Sequence, residues 1–245
     1  MADRKPAGQS FWLEHDWQRQ GKAQVRSEIC DLGGKQLRSV LLLPGLKFGC
    51  VRELRRNGSI THNTRISAVE HNMAVADRMV PKIGTMGLRT KLFRMRLEDL
   101  HPARYLFVDR KVFDLAYLDW CGPMTESRYD WLCSLSGTMA KGSILSVTYL
   151  RSLRNARFED NKKVGSAAIS MAFSLLDDCQ GGRITKRLVI TSFSRTTARL
   201  VAQTRSAIGR KFRVICCYEY NDTQLAGIAG GSYMTTFKVK LDEGL

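Results

Sequence analysis

Residues 113–124, FDLAYLDWCGPM, gather three chemically capable side chains at the end of one apolar run: Asp119, Trp120 and Cys121, ahead of a turn at Gly122 and Pro123. A carboxylate at a strand end can accept hydrogen bonds from a nitrogen and hold it in place. An indole offers a flat π-face for stacking. A thiol becomes a nucleophile where exposure and neighbouring charge lower its pKa. The plain structural alternative is a strand closed by a Gly-Pro turn with a buried cysteine.

Two further stretches could hold a ligand. PGLKFG, residues 44–49, follows an apolar run, and Gly45 and Gly49 permit close backbone approach beside Pro44. The spacing is neither GxGxxG nor a P-loop, so a ligand without phosphates suits it better than a dinucleotide or nucleoside triphosphate; a simple strand-to-helix turn is the alternative. RISAVE, residues 65–70, ends in Glu70. An acid about 20 residues after a glycine turn can accept both hydroxyls of a ribose, whereas a solvent-facing glutamate would need no partner. Residues 97–100, LEDL, add Glu98 and Asp99, either of which also suits a helix N-cap.

Basic residues cluster twice. Tyr149, Arg151, Arg154 and Arg157 form an aromatic-flanked basic loop that could meet phosphates, or be a solvated linker. Arg183, Lys186, Arg187, Arg195, Arg199, Arg205, Arg210 and Lys211 form the second, in part ordinary decoration of a helix surface.

These residues must be positioned by elements that alternate along the chain. Strand candidates span 39–44, 65–70, 91–97, 113–120, 142–150, 213–220 and 232–241, and helix candidates 49–57, 72–83, 126–140, 164–180 and 194–209. Strands separated by crossover-length segments run parallel, while NDTQLAGIAGG (221–231) leaves no room for a helix and joins the last two as a hairpin. The pattern predicts an α/β fold: one open sheet of about seven strands, five parallel plus a C-terminal antiparallel hairpin, with helices on both faces. Residues 1–36 read as an N-terminal tail and a helical segment bearing Phe11, Trp12, Leu13 and Trp17, and 37–245 as a single domain.

Composition narrows the partners. With 39 Lys+Arg against 23 Asp+Glu among 245 residues the formal charge is +16, a field that draws polyanions and makes nucleic acid the expected partner. No apolar run approaches the ~20 residues of a membrane span. Seven scattered cysteines without a CxxC pair and with no secretory signal predict reduced thiols and a cytoplasmic location, and four histidines give no metal site.

An α/β sheet closed by a hairpin of its last two strands resembles the class I S-adenosylmethionine-dependent methyltransferases, over roughly residues 37–243. The resemblance implies S-adenosylmethionine as cofactor and S-adenosylhomocysteine as product. It implies that Pro44, Gly45, Gly49, Glu70, Asp99 and Asp119 hold the cofactor, with Asp99 rather than Glu98 near the adenine amino group. It further implies a nucleic-acid base, RNA or DNA, as acceptor: Asp119 orients a target amino nitrogen and Trp120 stacks, or Cys121 attacks a pyrimidine carbon. The family usually has two prolines and an aromatic after the polar residue, where this chain has Trp120 and Gly122, and an acid at the end of the first strand, where Leu43 stands. Two alternatives remain: a fold of this type without cofactor that binds nucleic acid, and a methyltransferase acting on protein or a small molecule. A nicotinamide-dependent oxidoreductase is disfavoured by the missing glycine fingerprint.

Overall fold

The computed structural model describes residues 20–102, 112–120, 122–151, 164–184, 189–190, 193–222 and 232–242. Their helices are α1 (Gln20–Cys30), α2 (Gly49–Arg56), α3 (Met73–Met86), α4 (Glu126–Ser136), α5 (Ser166–Asp177) and α6 (Arg195–Ile208). Their strands are β1 (Ser39–Leu42), β2 (Arg65–Val69), β3 (Arg89–Phe93), β4 (Phe113–Asp119), β5 (Met139–Arg151), β6 (Gln180–Ile184), β7 (Val189–Ile190), β8 (Phe212–Asp222) and β9 (Ser232–Leu241).

All nine strands form one sheet in the order β3-β2-β1-β4-β5-β9-β8-β6-β7. β1 to β5 pair in parallel, and β9 pairs antiparallel with both β5 and β8. The five parallel strands and the C-terminal hairpin are those the sequence predicts. Both faces are covered, which is why β1 reads as aliphatic from Val40 to Leu42 with every residue buried.

Period-two alternation sends successive side chains of β4 to different cores. Leu115 and Tyr117 pack with Val25, Ile29 and Cys30 of α1 and with Val51 and Leu54 of α2. Ala116 and Leu118 pack on the other face, with Trp131 and Leu132 of α4 and Leu200 and Val201 of α6. The helices carry their own boundaries: Asn72, Thr125 and Ser194 each accept a backbone N–H of the first turn, and Gly87 and Gly209 end α3 and α6 at positive φ. Buried Lys238 of β9 donates from Nζ to the Glu28 carbonyl (3.1 Å) and the Asp31 carbonyl (2.5 Å), placing a cation at the C-terminus of α1 and tying that helix to the sheet.

Two differences from expectation have local causes. β3 begins at Arg89 and ends at Phe93, earlier than 91–97, because its register with β2 runs from Arg65↔Arg89 to Val69↔Phe93 and β2 has no further residue to pair. β6 was not foreseen, since GlnGlyGlyArgIle shows no alternation. It exists because Gly181, at φ +127°, lets the chain lie directly on the β8 backbone; a Cβ there would overlap the Cys217 carbonyl.

Candidate active site

The strand order reverses between β1 and β4, so the crevice beyond their carboxyl ends is where an open α/β sheet receives a ligand. The two ends are held together by the Leu43 N–H donating to the Tyr117 carbonyl at 3.1 Å. The 44–49 loop that follows takes its shape from Gly45 at φ +58° and Phe48 at φ +50°, with the Phe48 N–H on the Gly45 carbonyl at 3.2 Å. A left-handed Phe costs about 1–2 kcal/mol and is held there by its ring, buried in the α1/α2 core. From α3, Lys82 Nζ donates to the Leu46 carbonyl at 3.2 Å and braces the loop from outside. Leu42 is fully buried and Leu43 half-buried, so the end of β1 offers no carboxylate.

Glu70 directly follows β2, the strand beside β1, and its backbone N–H pairs with the Phe93 carbonyl at 3.0 Å. Its Oε1 accepts the Asn72 N–H at 2.8 Å and lies 3.4 Å from His71 Nδ1. That bond fixes the carboxylate at the strand tip, and its other oxygen, Oε2, has no protein partner among the described residues.

Asp119 and Trp120, adjacent in sequence, leave the sheet on opposite faces. Asp119 shares the face of Tyr117, toward α1 and α2, in register with Thr148 of β5. Burial pushes the Tyr117 hydroxyl well above the ordinary phenol range; the Asp119 charge adds to this and Arg26 opposes it. Trp120 packs into the other core. Its ring meets Tyr149 at 5.6 Å, Trp131 edge-on at 6.2 Å, and the Arg128 guanidinium at 5.3 Å. A ring engaged in this way braces the end of β4.

Arg128 organises the turn after β4. It pairs through Nε with Glu98 Oε1 at 3.1 Å and donates from Nη1 to the Pro123 carbonyl at 2.5 Å. Gly122 makes room for it, since a Cβ there would stand 2.7 Å from Nη1. Glu98 is therefore committed to structure, and exposed Asp99, in a 3-10 turn over Leu97–Asp99, is the acid left facing outward.

Tyr149 requires a correction. It is completely buried, against Trp120 and Phe237, with its hydroxyl 3.2 Å from Thr204 Oγ1, and burial raises its pKa; it does not face a nucleic acid. Arg151 is the last residue of β5. Cys121, Arg154 and Arg157 lie outside the described residues.

Sequence reasoning missed Arg26. The only trace of it is Gly49, whose missing side chain is needed because a Cβ would collide with Arg26 Nη1 and stand 2.7 Å from Cζ. A glycine reads in sequence as conformational freedom, and nothing marks which distant side chain fills the space.

No protein-family model matches the sequence, and no curated protein matches it. Solved structures do. A Clostridium thermocellum protein provisionally described as an rRNA-methylase superposes with a TM-score of 0.52 at 10% identity, over 91% of this chain and 96% of its own. The N-methyltransferase NodS from Bradyrhizobium japonicum gives 0.50 at 9% identity, over 90% of this chain and 96% of its own. The fold is that of the class I methyltransferases. The [4+2]-cyclase SpnF shares it, at a TM-score of 0.51 and 13% identity over 91% of this chain and 81% of its own. The fold by itself therefore does not set the reaction. Among the described residues there is no cluster of three metal-ligating side chains, and no helix long and apolar enough to cross a membrane.

Proposed function

We propose that the chain is an S-adenosylmethionine-dependent methyltransferase acting on nucleic acid, with an amino nitrogen of an RNA or DNA base as acceptor and 37–245 as its catalytic domain. The observation that carries the reading is Glu70, a carboxylate pinned at the tip of the strand next to β1, with Oε2 outside any protein hydrogen bond among the described residues. Two hydroxyls of a ribose match what such a group lacks. Pro44, Gly45 and Gly49 would line the methionine end and Asp99 the adenine edge. The residues fit a phosphate-free nucleoside, because the loop's glycine spacing is neither GxGxxG nor a P-loop.

When bound, S-adenosylmethionine supplies a methyl group made electrophilic by its sulfonium. Asp119 accepts an N–H of the acceptor amine and aims its lone pair at the crevice. Positioning supplies much of the rate, so no strong base is required. Trp120, Tyr149 and Arg128 keep the Asp119 end of β4 rigid from behind. The nitrogen route involves no covalent step and assigns none to Cys121. Support for the acceptor class comes from the +16 charge, and the neighbour described as an rRNA-methylase points the same way.

A second reading, a nucleic-acid-binding protein without cofactor, is favoured by the aliphatic pair Leu42 and Leu43 where the family usually carries an acid. Transfer of tritiated methyl from S-adenosylmethionine to separate pools of RNA, DNA and protein decides between them. The expected result is label in nucleic acid, declining with added salt and lost in Asp119→Ala. Salt-sensitive RNA binding without label supports the second reading, and label confined to protein overturns the acceptor class.

A further inference from the structure

We infer that Arg26 of α1 is the residue that recognises the amino-acid end of the cofactor, by binding its carboxylate. The inference rests on the cofactor reading above and extends it to a residue outside every motif of the site.

Three observations converge. The Arg26 guanidinium lies against the backbone of Gly49, close enough that any larger residue would displace it. The charge of the same side chain opposes the rise in the pKa of the buried Tyr117 hydroxyl on β4, to which the Asp119 charge contributes. The end of β1 is aliphatic at Leu42 and Leu43, so it provides no carboxylate for an ammonium group. A zwitterionic amino acid carries two recognisable charges. With no acid at the end of β1 for its ammonium, discrimination in favour of that end falls to its carboxylate.

The geometry suits that task. Gly49 is the first residue of α2, and the positive end of the helix dipole adds to the guanidinium charge at that point. A guanidinium presents paired N–H donors that match a carboxylate in bidentate fashion. Arg26 is half-buried rather than solvated, so its charge is screened less than a surface arginine's. α1 is also anchored independently: Lys238 holds its C-terminal carbonyls, and Val25 and Ile29 are buried. The helix that carries Arg26 is thus a fixed scaffold.

The test compares two ligands that differ in the group at issue. S-adenosylhomocysteine carries the amino-acid end; 5′-methylthioadenosine keeps adenine, ribose and sulfur without it. Calorimetric titration of each into wild type and Arg26→Gln should show at least a tenfold loss of S-adenosylhomocysteine affinity, about 1.4 kcal/mol, with 5′-methylthioadenosine within twofold of wild type. Gly49→Ala, which evicts the guanidinium while keeping it in the protein, should show the same ligand-selective loss and serves if Arg26→Gln melts early. Equal losses for both ligands, or no loss for S-adenosylhomocysteine, overturn the assignment while leaving the cofactor reading standing. If wild type binds neither ligand, the cofactor reading falls, and this assignment with it.

Discussion

Asp119 and Trp120 are neighbours in the chain and occupy opposite faces of the sheet, one over the α1/α2 side and the other inside the core formed with α4 and α6. Their substitutions should therefore separate. Asp119→Ala is expected to reduce methyl transfer at least a hundredfold, in line with loss of the group that positions the acceptor, with a melting temperature near wild type. Trp120→Ala should cost about 3 kcal/mol of stability through the cavity it leaves. Trp120→Phe should stay within about 1 kcal/mol, because the indole Nε1 is buried without an acceptor among the described residues. Urea unfolding and single-turnover methylation of the three variants check the set. A Trp120→Ala variant of full stability and no activity would restore the indole to the ligand side.

Lys238 holds α1 on the sheet through two carbonyls. Lys238→Met keeps the aliphatic stem and removes the donor, leaving two part-buried bonds unmade. The expected loss is about 2–3 kcal/mol, read by denaturant unfolding, with hydrogen exchange fastest in α1. If the amides of α1 are as protected as in wild type, the helix is held by its apolar face alone.

Gly181 sits at φ +127° with no space for a Cβ beneath the Cys217 carbonyl. Gly181→Ala is expected to detach β6 and β7 from β8, or to cost about 3 kcal/mol or more if they remain. Exchange of the β6 amides monitors this directly; unchanged protection would contradict the close approach.

The legible and illegible parts of the sequence divide along physical lines. Buried parallel strands announce themselves because both faces need aliphatic residues, and β1, β2 and β4 were placed within a few residues on that basis, while the short Gly-rich loop gave the β8/β9 hairpin. Helix ends were legible where caps are side chains, as at Thr125 and Ser194. β6 was not, because its pairing depends on a glycine's absent side chain. Of the proposed site, Glu70 and the glycine loop follow from spacing along the chain. Arg26, Arg128 and the burial of Tyr149 depend on contacts across the fold, and an arginine or tyrosine near a basic run looks like surface until its neighbours are known.

Alkaline pH should weaken the fold. Burial pushes the Cys216 thiol from 9.0 up to about 11, with Lys238 partly opposing, and also raises Cys179, to about 12. Above the unfolded value the unfolded chain releases thiol protons that the folded chain retains, so stability present below pH 9 is lost as pH rises through about 11. Thermal unfolding followed from pH 8 to 11 should show a falling melting temperature, with a shallower fall in Cys216→Ala. A flat profile would mean these thiols ionise freely in the folded state.

The central claim is that the crevice between β1 and β4 takes a ribose-bearing, phosphate-free ligand through Glu70. Calorimetric titration of S-adenosylmethionine into wild type and Glu70→Ala tests it most directly. The account predicts micromolar binding by wild type and at least tenfold weaker binding by the variant, about 1.4 kcal/mol, at equal melting temperature. Folded wild-type protein that takes up no S-adenosylmethionine, or a variant that binds it as tightly, would contradict the account.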